Sequence, residues 1–298
     1  MSIVNTTVPI TSQLNDRYIQ ELLQFCPDSS SEILATTAYY RPIRTLVLGK
    51  GPRKVLFSAS HHANEWITSL VLLKYAEELC GGSAPNAREV LENTTLYMVP
   101  MVNPDGVDLV TGAIVPDSIP FSVAQGLAQN YPDIPFPNGW KANLKGVDLN
   151  LQYPAGWMQA REIKFSQGFT QPGPRDYVGR APLDQIESRA MADYTLSLDP
   201  ELVVALHSQG KLIFWQFEDI EVPGARELGE EMARVSGYTL ADTPYESSFA
   251  GYKDWFIKRW RRPGYTIEVG TGASPLPLEQ FDEIYAAVAP ALSVAALG

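Results

Sequence analysis

The chain has 298 residues, 45% hydrophobic and 19% charged, a mixture ordinary for a globular protein with a core of its own. Its 23 basic and 34 acidic side chains give a net charge of −11, which argues against a nucleic-acid binder and a polybasic membrane anchor. No apolar run reaches the roughly 18 residues of a membrane span, and the first residues lack a secretion signal. Two cysteines, Cys26 and Cys80, do not make a disulfide framework. We therefore expect a reduced, cytoplasmic protein.

Predicted helices and strands alternate along the chain. Helices are predicted at 11–25, 66–79, 186–196, 224–236 and 279–297, the last interrupted by Pro290. Strands are predicted at 41–48, 54–58, 94–102, 201–206, 212–217 and 265–269, and a turn at Asn103–Gly106. This order predicts an α/β sandwich with a mixed, mostly parallel central sheet and helices on both faces.

The stretch from 116 to 177 is rich in Pro, Gly and Asn and shows little periodicity. Inside a compact domain, such a stretch usually forms functional loops. No break in composition marks a second domain. We therefore expect one domain over 1–298, with an N-terminal helix and lead-in at 1–40 and the core at 41–298.

All three histidines stand where a predicted strand ends. His61 and His62 follow the strand at 54–58, with Glu65 completing an H-x-x-E pair, and His207 follows the strand at 201–206. α/β proteins bind ligands at the carboxyl ends of their strands, and a catalytic zinc takes three imidazole or carboxylate ligands. The pair alone is a weak signal, because acids near histidines are common and a strand-end histidine is often a core residue.

Four ordered motifs resemble those of the zinc carboxypeptidase family, and together they span from about residue 41 to 270. Ser60-His-His-Ala-Asn-Glu-Trp-Ile-Thr68 resembles the first zinc motif, and later ones are matched by Gly146-Val-Asp-Leu-Asn150, His207-Ser208 and Glu268. The resemblance implies a zinc peptidase in which three side chains bind Zn²⁺: His62, Glu65 and His207. The role of His61 stays open.

The resemblance implies roles for further residues. Asp148 would accept a hydrogen bond from the first zinc histidine, although by itself it could be an ordinary turn residue. Glu268 would be the catalytic carboxylate that takes a proton from the attacking water, since an acid in an apolar strand is costly unless it is functional or salt-bridged. Tyr245 resembles the family's mobile tyrosine, with Tyr252 as the alternative.

The substrate-binding positions depart from the family pattern. Asn150 is kept, but Leu151 stands where an arginine would clamp the terminal carboxylate of a substrate, a contact that leucine cannot make. Ordinary carboxypeptidase activity is therefore in doubt. Two candidate cations, Lys141 and Lys145, precede Gly146. The motif does not decide which of them would polarise the substrate carbonyl.

The stretch from 140 to 157 is most similar to one branch of the family, the bacterial γ-D-glutamyl-meso-diaminopimelate peptidases, which also lack the second arginine. Gly173-Pro-Arg-Asp-Tyr177 is similar to that branch as well. The resemblance implies a murein peptide as substrate. Arg175 is the candidate partner for a diaminopimelate carboxylate and Asp176 for its amine, the alternative being a surface ion pair between the two.

Three other functions compete with murein peptide hydrolysis. Two are enzymatic: a conventional metallocarboxypeptidase and a zinc-dependent deacylase using the same metal site. The third is a wall-peptide-binding protein without activity, against which the intact ligand set and Glu268 argue. The sequence does not indicate the oligomeric state.

Overall fold

This computed structural model describes residues 2–298. Its strands are β1 (Ile33–Thr36), β2 (Pro42–Arg44), β3 (Leu46–Leu48), β4 (Arg53–Ala59), β5 (Thr94–Val99), β6 (Leu202–His207), β7 (Leu212–Phe214), β8 (Thr239–Ala241) and β9 (Gly264–Glu268). Its α-helices are α1 (Ser12–Phe25), α2 (Ile67–Gly81), α3 (Ala87–Asn93), α4 (Pro104–Val110), α5 (Ile119–Ala128), α6 (Trp157–Ser166), α7 (Ile186–Leu198), α8 (Ala225–Ser236), α9 (Tyr252–Trp260) and α10 (Phe281–Leu297).

Seven strands form the central sheet in the order β3-β5-β4-β6-β9-β7-β8, and β1 pairs with β2 in a separate antiparallel ribbon. The four central strands β5, β4, β6 and β9 are parallel, while β3 and β7 pair antiparallel to their inner neighbours. The innermost strands are almost wholly buried, as expected for parallel strands covered on both faces. The predicted mixed, mostly parallel sheet is confirmed.

Two apolar clusters hold the layers together. The larger packs α1, α2 and α10 against one face of the sheet through side chains such as Leu22, Leu70 and Leu292. The second packs α7 and α9 against the other face, with Met191 and Phe256 among its members. No helix within residues 2–298 is both long and apolar enough to cross a membrane.

The predicted elements differ from the structure mainly in their ends and in short segments. The strand predicted at 41–48 is two strands, β2 and β3, in different sheets. The predicted turn at Asn103–Gly106 is the start of α4, where Asn103 caps the helix and Pro104 occupies its first turn. The loop-rich stretch at 116–177 contains α5 and α6. Pro290 lies inside α10 without ending it.

The two cysteines are not reduced thiols. Cys26, directly after α1, forms a disulfide with Cys80 in the last turn of α2, with Cα atoms 5.3 Å apart. The sequence expectation failed because the two cysteines are 54 positions apart in the sequence, and only the packing of α1 on α2 brings them together.

Candidate metal centre

The carboxyl ends of three adjacent parallel strands carry the candidate catalytic side chains. His207 is the last residue of β6 and pairs in register with Glu268, the last residue of β9. On the other side of β6, Ala59 ends β4 beside Leu206, and the chain then turns into the segment holding His62 and Glu65. Neighbouring strands lie about 4.8 Å apart, so backbone pairing sets the spacing of the site.

Local hydrogen bonds shape the turn after β4. His62 precedes a single 3₁₀ turn, Ala63–Glu65, which places the two side chains on the same side. The Thr68 hydroxyl donates to the Glu65 carbonyl at 2.7 Å, and the Ala63 N–H donates to the Lys141 carbonyl at 2.9 Å. The second hydrogen bond brings the backbone at Lys141 beside the site.

The three predicted zinc ligands meet at one point. The His62 Nδ1 atom lies 2.9 Å from Glu65 Oε1 and 3.2 Å from His207 Nδ1, which in turn lies 3.0 Å from Glu65 Oε2. Two imidazole nitrogens bound to one tetrahedral zinc are about 3.3 Å apart, because each bond measures about 2.0–2.1 Å. Two facing nitrogens and a carboxylate at this spacing fit a zinc ion.

Asp148 occupies the position expected of it. Its carboxylate lies 3.0 Å from His62 Nε2, which leaves Nδ1 of the same ring to face the site. Burial favours neutral His62, but the carboxylates of Glu65 and Asp148 outweigh it and raise its pKa to about 9. Burial by itself would raise the pKa of Asp148, but the charges on His62 and Lys141 lower it.

Of the two candidate cations, Lys141 lies in the site and Lys145 does not. The Lys141 ammonium is 3.0 Å from Glu65 Oε1, and it holds the pKa of Glu65 well below its usual range despite burial. Lys145 is exposed and lines a separate cavity with Tyr177 and Arg180. Only Lys141 could reach a carbonyl placed at the metal centre.

Glu268 lines the same cavity as His62, His207 and Lys141. Within residues 2–298, no side-chain hydrogen bond or ion pair reaches its carboxylate. Burial raises its pKa, with His207 opposing and Glu65 reinforcing the shift. A more basic, unpaired carboxylate beside the metal centre can accept a proton from water.

His61 is a buried packing residue behind the site. Its ring stacks on His207 with centroids 5.8 Å apart, and its Nε2 atom lies 3.0 Å from the Tyr153 hydroxyl. Burial, together with the charges on the other two histidines, lowers its pKa well below the usual value. His61 therefore supports His207 from behind as a neutral ring.

Asn150 and Leu151 both line the cavity, in a 3₁₀ turn that follows Asp148. Asn150 Oδ1 accepts from the Tyr252 N–H at 3.0 Å, and its amide nitrogen makes no hydrogen bond within residues 2–298. Leu151 is 9% exposed and packs into the second apolar cluster. The side chain beside Asn150 thus cannot hold a carboxylate.

The two candidate tyrosines differ in exposure. Tyr245 is 66% exposed, starts a short 3₁₀ turn and packs edge-on against Phe249, where it lines a cavity separate from that of the metal centre. Tyr252 is fully buried, and its hydroxyl lies 2.8 Å from that of Thr195. Tyr252 lines the cavity of the metal centre, whereas Tyr245 has the exposure that a mobile side chain requires.

Arg175 and Asp176 both line the cavity but are bound to each other. Arg175 Nε donates to Asp176 Oδ2 at 2.5 Å, and the Lys164 ammonium binds the other carboxylate oxygen at 2.8 Å. Both oxygens of Asp176 therefore have cationic partners, so the expected contact between Asp176 and a substrate amine would require displacing one of them. The Arg175 side chain is 41% exposed, and its terminal nitrogens make no hydrogen bond within residues 2–298.

Eight residues that line the cavity were not among the site residues predicted from sequence: Lys164, Phe214, Thr243, Ser247, Gly251, Lys253, Asp254 and Thr266. Lys253 and Asp254 interrupt the otherwise apolar run from Tyr252 to Ile257, and two adjacent charges in a buried run are the signal that could have identified them. No comparable signal marks Phe214 or Thr266.

Comparisons with known proteins agree with this geometry. A family model described as zinc carboxypeptidase matches residues 16–289. Gamma-D-glutamyl-L-diamino acid endopeptidase 1 of Lysinibacillus sphaericus is 41% identical over 279 residues, which cover 91% of this chain and 68% of that protein.

Two solved structures share the fold at low sequence identity. Carboxypeptidase A from Helicoverpa armigera superimposes with a TM-score of 0.73 at 17% identity, covering 98% of this chain and 75% of the other. Murein-tripeptide amidase MpaA from Escherichia coli O157 gives a TM-score of 0.56 at 18% identity, covering 90% and 92%. The family match and the metal centre lead to one conclusion: the chain belongs to the zinc carboxypeptidase family and is a zinc metallopeptidase.

Proposed function

We propose that the chain hydrolyses the amide bond between the γ-carbonyl of D-glutamate and meso-diaminopimelate in peptidoglycan stem peptides. The observation that carries this proposal is the 41% identity, over 91% of the chain, to a relative named for cleavage at γ-D-glutamyl-L-diamino acid bonds. Leu151 supports it, because its place beside Asn150 leaves a plain terminal carboxylate without a bidentate partner.

In this proposal, His62, Glu65 and His207 hold a zinc ion, which when bound supplies Lewis-acid catalysis. Asp148 fixes the orientation of the His62 ring through its 3.0 Å contact. Because both imidazoles would have to be neutral to hold the ion, His62 would give up the proton that its raised pKa otherwise retains.

Glu268 and Lys141, which line the same cavity, act on the reacting carbonyl in different ways. Glu268 takes a proton from the attacking water and passes it to the leaving nitrogen of diaminopimelate. The Lys141 ammonium stabilises the negative charge that develops on the carbonyl oxygen. Asn150 and Arg175 contact the substrate from the cavity wall, with the Asn150 amide and the Arg175 guanidinium as donors to a substrate carboxylate. The exposed Tyr245 reaches the substrate from a neighbouring cavity.

A defined tetrapeptide tests the proposal. The purified protein, loaded with zinc, is incubated with L-Ala-γ-D-Glu-meso-diaminopimelyl-D-Ala, and the products are identified by mass spectrometry. The proposal predicts L-Ala-D-Glu and diaminopimelyl-D-Ala. Release of D-Ala alone would instead establish a carboxypeptidase, as would efficient cleavage of benzoylglycyl amino acids.

The cytoplasmic location was expected because the sequence shows no signal peptide or transmembrane segment and only two cysteines, whereas the Cys26–Cys80 disulfide favours an oxidising compartment. Alkylation of the protein's cysteine thiols in freshly lysed native cells distinguishes a cytoplasmic location from an oxidising compartment. Modified cysteines would support the cytoplasm, and protection of both until a reductant is added would support export.

A further inference from the structure

A second cavity shares two chain segments with the cavity of the metal centre. Its volume is about 470 Å³, within the range of sites that bind small molecules. The residues that line it are Lys145, Val147, Pro172, Tyr177, Gly179, Arg180, Ala181, Asp184 and Gln185. We call it the Arg180 cavity. Val147 and Tyr177 belong to it, whereas the residues next to them in the chain line the cavity of the metal centre.

Hydrogen-bond donors without partners are concentrated in the Arg180 cavity. The side chains of Lys145 and Arg180 make no hydrogen bond or ion pair within residues 2–298, and no hydrogen bond there uses the Tyr177 hydroxyl. Gln185 is 6% exposed, and its amide nitrogen donates to Asp184 Oδ1 at 2.7 Å. An amide nitrogen carries two N–H groups, so the second one has no partner within the described chain.

The carboxylate among these lining residues, Asp184, already serves the fold. Its Oδ2 atom accepts from the Arg180 N–H at 2.9 Å, and its Oδ1 atom accepts from the Gln185 amide. The backbone N–H groups of Asp184 and Gln185 donate to Oε1 of the buried Gln152 at 2.9 and 3.2 Å. These bonds fix the chain at 180–185 and leave the Arg180 guanidinium available to a ligand.

Gly179 lets the chain approach the buried Gln152 closely at this wall. Its φ is 84°, and a Cβ atom there would lie only 2.4 Å from Gln152 Nε2. The Gly179 N–H makes no hydrogen bond within residues 2–298. A backbone N–H at a glycine with positive φ is a common part of anion-binding loops.

The charge of the Arg180 cavity is opposite to that of the molecule. The chain has a net charge of −11, yet this cavity is lined by two cations and one carboxylate. A ligand that only accepts hydrogen bonds suits such a wall. A phosphate monoester carries about −1.5 to −2 charges at pH 7 and three acceptor oxygens, so it balances two cations better than a single carboxylate does.

We propose that the Arg180 cavity is a second ligand site, which binds a phosphate monoester carried on a small ring compound such as a sugar. Arg180 and Gln185 donate to the phosphate, and Lys145 adds a second positive charge. The volume of the cavity leaves room for the ring, which the aromatic face of Tyr177 can cover. This inference does not depend on the proposed function, because the cavity contains no residue of the metal centre.

Calorimetric titration of the zinc-loaded protein at constant ionic strength tests the proposal. The probes are inorganic phosphate and N-acetylglucosamine 1-phosphate, and N-acetylglucosamine without phosphate is the control. The wild type should bind the sugar phosphate more tightly than inorganic phosphate and should not bind the sugar alone. Equal affinity for the two phosphates would overturn the assignment of a ring compound.

Four variants locate the binding, and circular dichroism shows whether each is folded. Arg180→Met should weaken both phosphate probes by roughly tenfold or more, because it removes a charged donor. Tyr177→Ala should weaken the sugar phosphate more than inorganic phosphate, and Tyr177→Phe should keep the preference. Arg259→Met, which removes an exposed arginine of α9, should bind both probes as the wild type does.

Three results would overturn the inference. One is an Arg180→Met protein that binds both phosphates as tightly as the wild type, and another is a wild type without saturable binding of either. The third is binding that Arg175→Ala abolishes and Arg180→Met does not, which would assign the anion to the cavity of the metal centre. If Arg180→Met does not fold, the ratio of affinities in Tyr177→Ala decides the question. All three results leave the proposed function standing.

Discussion

Among the charged side chains lining the cavity, Glu268 differs from the others in having no partner within residues 2–298. Lys141 contacts Glu65, Asp148 contacts His62, and the remaining cations and carboxylates are paired with one another. Pairing fixes these groups in place and reduces their tendency to exchange protons. The unpaired carboxylate is therefore the group suited to proton transfer.

Replacing Glu268 by Gln tests this difference directly. The amide keeps the size of the side chain but cannot take a proton, so turnover should fall by about a hundredfold to ten-thousandfold. Zinc content, measured by atomic emission on the purified variant, should equal that of the wild type. Near-normal turnover would mean that another group is the base.

His207→Ala should instead remove zinc and activity together. It deletes one of three protein ligands, and two remaining ligands hold zinc poorly. Competition with a fluorescent zinc chelator would measure the loss of affinity. A variant that kept full zinc occupancy would contradict the ligand assignment.

Two lysines only four residues apart provide a matched comparison. Lys141→Met should lower kcat/KM by about 10²–10³, because the developing negative charge loses its cation. Lys145→Met, at an exposed position outside the site, should stay within about twofold of the wild type. Equal losses in the two variants would mean that Lys141 has no special role in catalysis.

At the scale of elements, the disulfide links two helices that pack on the same face of the sheet. Closing a loop with a sequence separation of 54 restricts the unfolded chain. Replacing both cysteines by serine should therefore lower the free energy of unfolding by about 4 kcal/mol. Chemical denaturation under non-reducing conditions measures the change. Because both residues lie far from the metal centre in the fold, kcat/KM of the folded variant should not change.

The long central elements could be predicted from sequence because their burial follows a simple period. Strand β4, helix α2 and strand β6 were placed within two residues, and His62 and His207 at their ends followed from that placement. The motifs identified the metal centre because its residues stand in local patterns that resemble the family.

Contacts between distant segments could not be predicted in this way. The pairing of Cys26 with Cys80 depends on how α1 packs, and the pairing of Lys164 with Asp176 depends on how α6 lies against the loop after it. Short elements such as β8 and α3 owe their structure to tertiary neighbours rather than to a pattern of their own.

At the scale of the whole molecule, a buried carboxyl in the interior links stability to pH. Glu187 is 4% exposed, and the Asn143 amide lies 3.3 Å from both of its oxygens. Burial, reinforced by Asp105, raises its pKa from 4.5 to about 7. The folded protein therefore holds this proton more tightly than the unfolded chain does.

The tighter binding of the Glu187 proton in the folded protein stabilises it fully below about pH 4.5. This stabilisation is lost as the pH rises to about 7. The loss amounts to roughly 3 kcal/mol, since each pKa unit corresponds to about 1.4 kcal/mol. Glu187→Gln has no titrating carboxyl and removes this pH dependence. The free energy of unfolding of the variant, relative to that of the wild type, should therefore be higher at pH 8 than at pH 5. Denaturation midpoints that differ by the same amount at both pH values would contradict the assignment.

The attachment of the site to the sheet has a consequence for how the enzyme can diversify. His207 and Glu268 are fixed by backbone pairing between β6 and β9, whereas the walls around them come from 141–176 and 243–254. A chimera that exchanges the walls with those of a relative should keep the chemistry and change the substrate. Lys141 and Asp148 set the limit on such grafts, because they belong to a wall yet touch the ligand residues, and a donor segment must bring equivalents of both.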